Sequence, residues 1–295
     1  MRGLDYRWLT ALDAVIAKGS FEEAACELSL TQSAISQRIK QLEKWLSQPV
    51  LIRSQPPRAT RVGEKLLGLY RRVHLLEQEL LPELSADDAE FTSLSIAVNA
   101  DSLATWLVPA LSPLLNEYAL ALDLLVEDES RTLERLRRGE VVGAVSLKES
   151  PLPGCSVERL GEMEYLCVAA PEFANHFFSK GKSEQMFLSA PIVVFDYVDD
   201  LHQGFLQEMG WGQHQGICHH ARSSEAFVKL AEQGSCYCFI PRLQAEKLLA
   251  DGRLINLLPG QSIRRKLYWH HWTLAGGMVG RITRILCDYC KTGLY

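Results

Sequence analysis

TQSAISQRIKQLEKWL, Thr31 to Leu46, carries Ile35, Ile39, Leu42 and Leu46 at spacings of four, three and four. That is one stripe of a helix, and it must bury against another element. The opposite face holds Gln32, Ser33, Ser36, Gln37 and Lys40, whose amide, hydroxyl and ammonium groups can reach base edges and phosphates in a DNA major groove. Just upstream, Ser20 followed three residues on by Glu23 is a capping box, and Phe21, Ala24, Ala25 and Leu28 make the apolar face of a short helix. Ser29-Leu30-Thr31 is then the turn, and Ala24 and Ala25 are small enough for two helices to cross closely. The pattern predicts a helix-turn-helix whose second helix reads DNA. An ordinary pair of amphipathic helices is the alternative that this pair by itself leaves open.

Working outward, the net charge of −5 is unevenly placed. Residues 31 to 72 hold nine Lys/Arg against two Glu, a local +7 that leaves −12 for the remainder. A basic module on an acidic body predicts that one part of the protein touches phosphate. The 295 residues, 47% hydrophobic and 23% charged, are enough for two or three domains with cores of their own. No stretch approaches the roughly 18 to 20 apolar residues of a membrane span. Asp13 interrupts the apolar N-terminal segment and no small-residue cleavage site follows, so a cytoplasmic location is expected. The eight cysteines fit that compartment as reduced, buried thiols. Cys236-x-Cys238 and Cys287-x-x-Cys290 each lack the second pair that a closed zinc site needs, so neither a metal nor a cofactor is expected.

In chain order, Tyr6 to Lys18 reads as a first helix with Trp8, Leu9, Leu12, Val15 and Ile16 inward and Gly19 ending it. After the recognition helix, Gln48-Pro49 is a stop, Val50-Leu51-Ile52 a short strand and Pro56-Pro57 a turn, which together predict a winged helix-turn-helix. Arg53, Arg58, Arg61 and Lys65 lie on or beside the wing, where they would hold phosphate without reading sequence, and Thr31 joins the reading face. A longer helix is expected from Gly63 to Leu84. Leu66, Leu69, Val73, Leu76 and Leu80 alternate spacings of three and four, the repeat of a coiled-coil seam, and predict a homodimer. A second stripe, Leu67, Tyr70, His74 and Leu81, would face the helix's own domain.

Ser85 to Thr92 is acidic and polar, as a hinge would be. From Leu94 onward, strand-like and helix-like stretches alternate in two sets, predicting an α/β body of two lobes with largely parallel strands. The resulting division is a DNA-binding domain over 1–62, a dimerising linker helix over 63–84, a hinge over 85–92 and an effector-binding domain over 93–295. Within the last, one lobe covers about 93–163 and 268–295 and the other about 164–267.

Ser20-Phe21, Ala24-Ala25, Leu28, Gln32-Ser33, Ser36, Ile39, Leu42-Glu43, Pro49, Arg53, Thr60 and Gly63 make residues 1 to about 85 resemble the LysR-type transcriptional regulators. Leu51 stands where that family usually has Phe, and Ala59 where it has a larger apolar residue. Both departures touch wing packing more than base contact. The resemblance implies a periplasmic-binding-protein-like sensor whose two α/β lobes close on a small ligand, with the chain crossing between them near Glu162 to Glu164 and Arg265 to Tyr268. It further implies dimers that pair into tetramers, double-stranded DNA as partner, and RNA polymerase as a further contact.

VNADSLATWLVPAL (98–111), VEDESRTLERLRRGEVVGAVS (126–146), FDYVDDLHQGFL (195–206), SSEAFVKLA (223–231) and LYWH (267–270) are similar to the subfamily that regulates basic amino-acid export and was also described as inhibiting replication initiation. The similarity fades after Trp272. The effector implied is lysine or arginine, and the residue chemistry agrees. Asn99-Ala100-Asp101-Ser102 lies where a strand gives way to a helix, a place suited to a carboxylate, with Asp101 beside it for an ammonium. Glu127 and Asp128 end the next strand and Asp196 a strand of the other lobe, offering carboxylates to a cationic side chain. Ser223 and Ser224 would add hydroxyl contacts. The plainer reading is that Asp101 and Ser102 cap a helix and that Glu127 to Glu129 are solvated charges.

Two rivals remain at this stage. An enzyme is the first, since α/β lobes host many chemistries, but there is no G-x-S-x-G, H-E-x-x-H or Walker loop. His219-His220 and His270-His271 are adjacent pairs that would point to opposite faces of a strand, so catalysis is not expected. The second rival is an effector-independent architectural DNA-binding protein.

Overall fold

The computed structural model describes residues 3–84, 92–128, 131–273 and 277–294. It divides into two units, Met1–Thr92 with Glu134–Val142, and Ser93–Leu133 with Gly143–Tyr295.

The first unit opens with helix α1 (Tyr6–Lys18), capped by Asp5, and closes it with Gly19 at φ 72°, a left-handed position that suits a residue without a side chain. Helix α2 (Phe21–Glu27) starts at Ser20, whose hydroxyl accepts the Glu23 N–H at 3.0 Å. Helix α3 (Gln32–Leu46) starts one residue later than its pattern suggested, because Thr31 serves as the cap and accepts the Ala34 N–H at 3.1 Å. Leu9, Leu12, Val15, Ala24, Ile35, Ile39 and Leu42 are fully buried together, and Leu46, Trp8 and Phe21 close the edge of this core. Each such aliphatic side chain contributes roughly 1.5–3 kcal/mol by leaving water.

The wing is the antiparallel pair β1 (Leu51–Ile52) and β2 (Arg58–Ala59), with Leu51 opposite Ala59. Helix α4 (Arg61–Leu84) begins two residues before Gly63 because Thr60 is its cap in effect: its hydroxyl accepts the Gly63 N–H at 3.1 Å and donates to the Pro49 carbonyl at 2.8 Å. Arg61 is therefore a first-turn helix residue rather than part of the wing. Gly63 itself packs against the wing so tightly that a Cβ would lie 2.1 Å from the Val50 carbonyl oxygen. Leu67 and Tyr70 face the core of this unit as expected, and the Tyr70 hydroxyl lies 3.0 Å from that of Thr10.

Leu66 also packs against this core, which removes it from a purely intermolecular seam. Leu69 is exposed and Val73 half-buried. The side chains of Leu76, Leu80 and Leu81, and the acidic stretch 85–91, lie outside the described residues.

In the second unit, strand order is β10-β6-β11-β5-β3-β4, with β9 also on β6. These are β3 (Thr92–Val98), β4 (Leu120–Val126), β5 (Gly143–Ser146), β6 (Cys155–Ala169), β9 (Cys238–Pro241), β10 (Ile255–Asn256) and β11 (Ile263–Trp272). The strands are not largely parallel: β3 and β5 are, but β11 runs antiparallel to both β5 and β6, and β9 and β10 antiparallel to β6. The cause is the length of β6 and β11, which pair with each other from Cys155–Trp272 to Tyr165–Ile263 and so impose one antiparallel seam on the sheet. β5 holds the Tyr268–His271 end of β11, whereas β9 holds the Tyr165–Val168 end of β6. The register between β6 and β11 shifts at Leu267/Tyr268. A separate parallel pair, β7 (Ile192–Val194) and β8 (Cys218–His220), bridges through Ile192 to Tyr237 beside β9.

The remaining elements position the site. They are α5 (Ala100–Ser102), a π-turn over Leu103–Leu107, α6 (Val108–Glu117), α7 (Thr132–Arg137, which straddles the unit boundary), α8 (Pro171–Phe177), α9 (Glu184–Ser189), α10 (Leu201–Glu208), α11 (Ser224–Glu232), α12 (Arg242–Ala250) and α13 (Gly277–Gly293). Among the described residues, no helix is long and apolar enough to cross a membrane.

Candidate DNA-reading face and effector site

The free face of α3 has the chemistry that a groove demands. Gln32, Ser33, Ser36, Gln37 and Lys40 line a concavity of about 560 Å³ together with Phe21 of α2 and Arg53 from just beyond β1. Gln32, Ser33, Gln37, Lys40 and Arg53 are exposed and Ser36 half-buried. Burial of Ile35, Ile39 and Leu42 fixes the helix's rotation, so the polar groups three and four residues apart must point outward. Arg58, Arg61 and Lys65 are exposed but do not line this concavity. Thr31 is exposed too, but its hydroxyl oxygen is engaged in capping. Phe21, read from sequence only as a core residue, contributes an apolar wall.

In the second unit, the end of β3 delivers Asp101 into contact with two other elements, and with a third through one of them. Its Oδ1 accepts from the Ser224 hydroxyl of α11 at 2.5 Å, and its Oδ2 from the Tyr165 hydroxyl of β6 at 2.9 Å. The Gln244 amide of α12 lies 2.9 Å from the same Ser224 hydroxyl. That hydroxyl has one proton, committed to the nearer carboxylate, so the amide serves it best with its NH₂ turned inward. Burial pushes the Asp101 carboxyl above its ordinary pKa, outweighing the two hydroxyl donors, and the carboxylates of Asp199 and Glu225 push the same way. Among the described residues, no cationic side chain forms an ion pair with Asp101. Asn99 and Ser102 flank it and are buried, and the Ser102 hydroxyl meets no partner among the described residues. Ala100 opens the short helix between them. The π-turn follows at once, where Pro109 has no N–H to offer the carbonyl of Thr105.

Other residues of the expected site fall differently. Asp196, read as a carboxylate for a cationic ligand, is already paired: its Oδ2 takes the Arg131 guanidinium and, at 3.1 Å, that of Arg222. Burial raises its pKa, but the Val198 N–H and the two arginines more than offset this and hold the carboxyl below its usual range. Ser223 is an N-cap, accepting the Ala226 N–H at 3.2 Å and donating to Glu225 at 2.9 Å, so its hydroxyl is spent. Glu127 and Asp128 follow β4 as expected, and the Glu127 N–H bonds the Val98 carbonyl at 3.0 Å. Glu129 lies outside the described residues.

Five groups were missed in the sequence: Tyr165, Gln244, Arg131, Arg222 and Asp199. The Asp199 carboxylate accepts the N–H groups of Phe195 and Leu201, and its pKa is raised by burial and by nearby Asp128 and Asp200. Tyr165 and Gln244 could not be found by spacing, since pairing of β6 with β9 sets Tyr165 beside the start of α12, and only the tertiary fold brings Tyr165 to Asp101 and Gln244 to Ser224. Arg131 stands in the quoted run 126–146 and could have been noticed as a cation among acids. All eight cysteines are free thiols, and among the described residues no cluster of His, Cys, Asp or Glu could hold a metal ion.

A winged helix-turn-helix joined to a mixed α/β body that carries a buried carboxylate cluster around Asp101 defines a class of ligand-responsive DNA-binding proteins. Residues 6–64 match the bacterial regulatory helix-turn-helix protein, lysR family, and residues 88–271 the LysR substrate binding domain. The chain belongs to the LysR family. It is 54% identical to the HTH-type transcriptional regulator ArgP of Photobacterium profundum and 53% identical to that of Vibrio cholerae, over 100% of this chain and 99% of each relative. Its fold is similar to the crystal structure of ArgP from Mycobacterium tuberculosis, at 35% identity and a TM-score of 0.88 over 99% of both chains. It is also similar to full-length LysG from Corynebacterium glutamicum with bound effector Arg, at 34% identity and a TM-score of 0.80 over 99% of both.

Proposed function

We propose that this protein is a transcriptional regulator that binds double-stranded DNA through α3 and the wing and whose activity is set by a basic amino acid, lysine or arginine. The observation that carries it is the Asp101 site: a carboxylate held by two hydroxyls, with further carboxylates near it and no resident cation among the described residues. Such a site favours a ligand that brings positive charge. The relative with bound arginine supports the same class of effector. The resemblance of runs such as 126–146 and 195–206 to the subfamily that regulates basic amino-acid export supports amino-acid export or biosynthesis genes as targets.

On this reading, Gln32, Ser33, Ser36 and Gln37 read bases, Lys40 and Arg53 bridge to phosphate, and Arg58, Arg61 and Lys65 hold the backbone outside the groove. A single recognition helix covers one half-site, so the working form is a homodimer or a pair of dimers, built on the outer face of α4. The cytoplasm is where such a protein meets its DNA, and RNA polymerase is the partner on which it would act. Chromatin occupancy mapping with and without lysine or arginine tests DNA binding, target and effector together. Occupancy that no basic amino acid alters would favour an architectural DNA-binding protein, and turnover of an amino acid by the purified protein would favour an enzyme.

A further inference from the structure

The ion pairs around Asp196 are out of balance. Two guanidinium groups, from Arg131 beyond β4 and Arg222 before α11, converge on one oxygen of one carboxylate at the end of β7. Over these three side chains one positive charge is left, with Asp128 and Asp199 the acids next in reach. The side chains of Arg131 and Arg222 are 43% and 68% exposed while that of Asp196 is 7% exposed, so the carboxylate is covered and the guanidinium groups present their remaining N–H donors to whatever enters. The Asp101 end has the opposite character, with carboxylates in excess. The two ends are close in the chain: Arg222 is two residues from Ser224, whose hydroxyl touches Asp101. Two residues of extended backbone keep the Cα atoms of Arg222 and Ser224 within about 7 Å, so the two side chains belong to one neighbourhood.

We propose that Arg131 and Arg222 are the carboxylate-recognising end of the effector site, so that a basic amino acid lies with its α-carboxylate on the two guanidinium groups and a cationic group toward Asp101. This rests on the basic amino-acid reading above. It replaces the arrangement that the sequence implied, in which the α-carboxylate sat at Asn99–Ser102, the ammonium met Asp101 and the cationic side chain met Glu127, Asp128 and Asp196. Asp196 then acts as a positioning residue that holds the two arginines in register instead of touching the ligand. The pair selects amino acids over amines, because an amine of the same length offers nothing to the guanidinium forks.

Calorimetry on the full chain, with L-lysine and L-arginine against their decarboxylated counterparts cadaverine and agmatine, reads this directly. Wild type is expected to prefer each amino acid by about tenfold or more, the scale of one charge-assisted hydrogen-bonded pair. Arg131→Gln and Arg222→Gln should each shrink that preference, mainly by weakening the amino acid and leaving the amine unchanged or tighter. Arg131→Lys, which keeps the charge, should restore part of it. Arg222→Gln changes an exposed side chain and keeps the test available if Arg131→Gln does not fold. A wild type that binds amines as tightly as amino acids, or variants that keep the wild-type ratio, would overturn the arginine pair while leaving a basic-ligand site at Asp101 standing. Absence of lysine and arginine binding in the wild type would overturn the effector reading and this proposal with it.

Discussion

Ser224 donates a 2.5 Å hydrogen bond to Asp101 across 123 residues of sequence, joining the first turn of α11 to the first turn of α5. Tyr165 donates to the other oxygen of the same carboxylate, so among the described residues each oxygen has a neutral hydroxyl donor and neither has a cation. Hydroxyls are weaker partners for an anion than guanidinium or ammonium groups, and burial with two nearby acids leaves the group readier to hold a proton than an ordinary aspartate.

At a pH near or below the raised Asp101 pKa, effector binding should therefore release protons. A ligand cation favours ionised Asp101, whose pKa in the free protein is raised, so affinity is expected to fall as pH drops through that raised pKa. Titrating lysine in buffers of different ionisation enthalpy measures the proton count. Asp101→Asn should abolish lysine binding and leave DNA binding in place. Buffer-independent heats in the wild type would mean that Asp101 does not change its protonation on binding.

How far the sequence reached follows from where each signal resides. Ile35, Ile39 and Leu42 are separated by helical spacing alone, so the pattern located the core side of α3, and with it the exposed polar face, directly. Asp101 was legible for a similar reason, as an acid at a strand-to-helix junction. Its partners were not, because Tyr165 of β6 and Ser224 of α11 reach it through tertiary packing across 64 and 123 residues that no local pattern encodes. Asp196 shows the sharper limit: a carboxylate at the end of a strand reads the same whether it awaits a ligand or already holds Arg131. Leu66 carried both stripes' spacing, and only packing decided that it faces its own core.

On the DNA side, base-reading and phosphate-holding groups should separate experimentally. Gln32→Ala is expected to relax operator preference by the worth of a good base contact, about 1–3 kcal/mol. Arg58→Ala should weaken specific and random DNA alike and lower the salt dependence of binding. Competition anisotropy at two salt concentrations distinguishes the two behaviours, and an unchanged preference in Gln32→Ala would remove it from the reading set.

Leu69 is exposed on α4 and Val73 half-buried, which leaves them as the described part of the outer stripe once Leu66 is assigned to the core. Replacing both with Glu should place four carboxylates in a symmetric interface and shift sedimentation from dimer toward monomer at micromolar concentration. An undisturbed dimer would move the interface to the second unit.

The buried His202 should make the second unit acid-sensitive. Its Nε2 lies 2.8 Å from the Tyr237 hydroxyl, which donates its own proton to the Phe187 carbonyl at 2.7 Å, so His202 donates from Nε2 as a neutral ring. Burial, with His214 adding to it, depresses its pKa from 6.5 to about 3. Between those values the unfolded chain carries a proton that the folded one lacks, so stability is present above the unfolded pKa and is lost as pH falls below it, by about 1.4 kcal/mol per pH unit at most. Trp211 stacks on Phe187 at 5.2 Å and its fluorescence reports this cluster. Urea midpoints followed at Trp211 between about pH 7.5 and pH 5 should fall more steeply in the wild type than in His202→Gln, which keeps an N–H donor but does not titrate. Equal losses in the two proteins would place the acid sensitivity elsewhere.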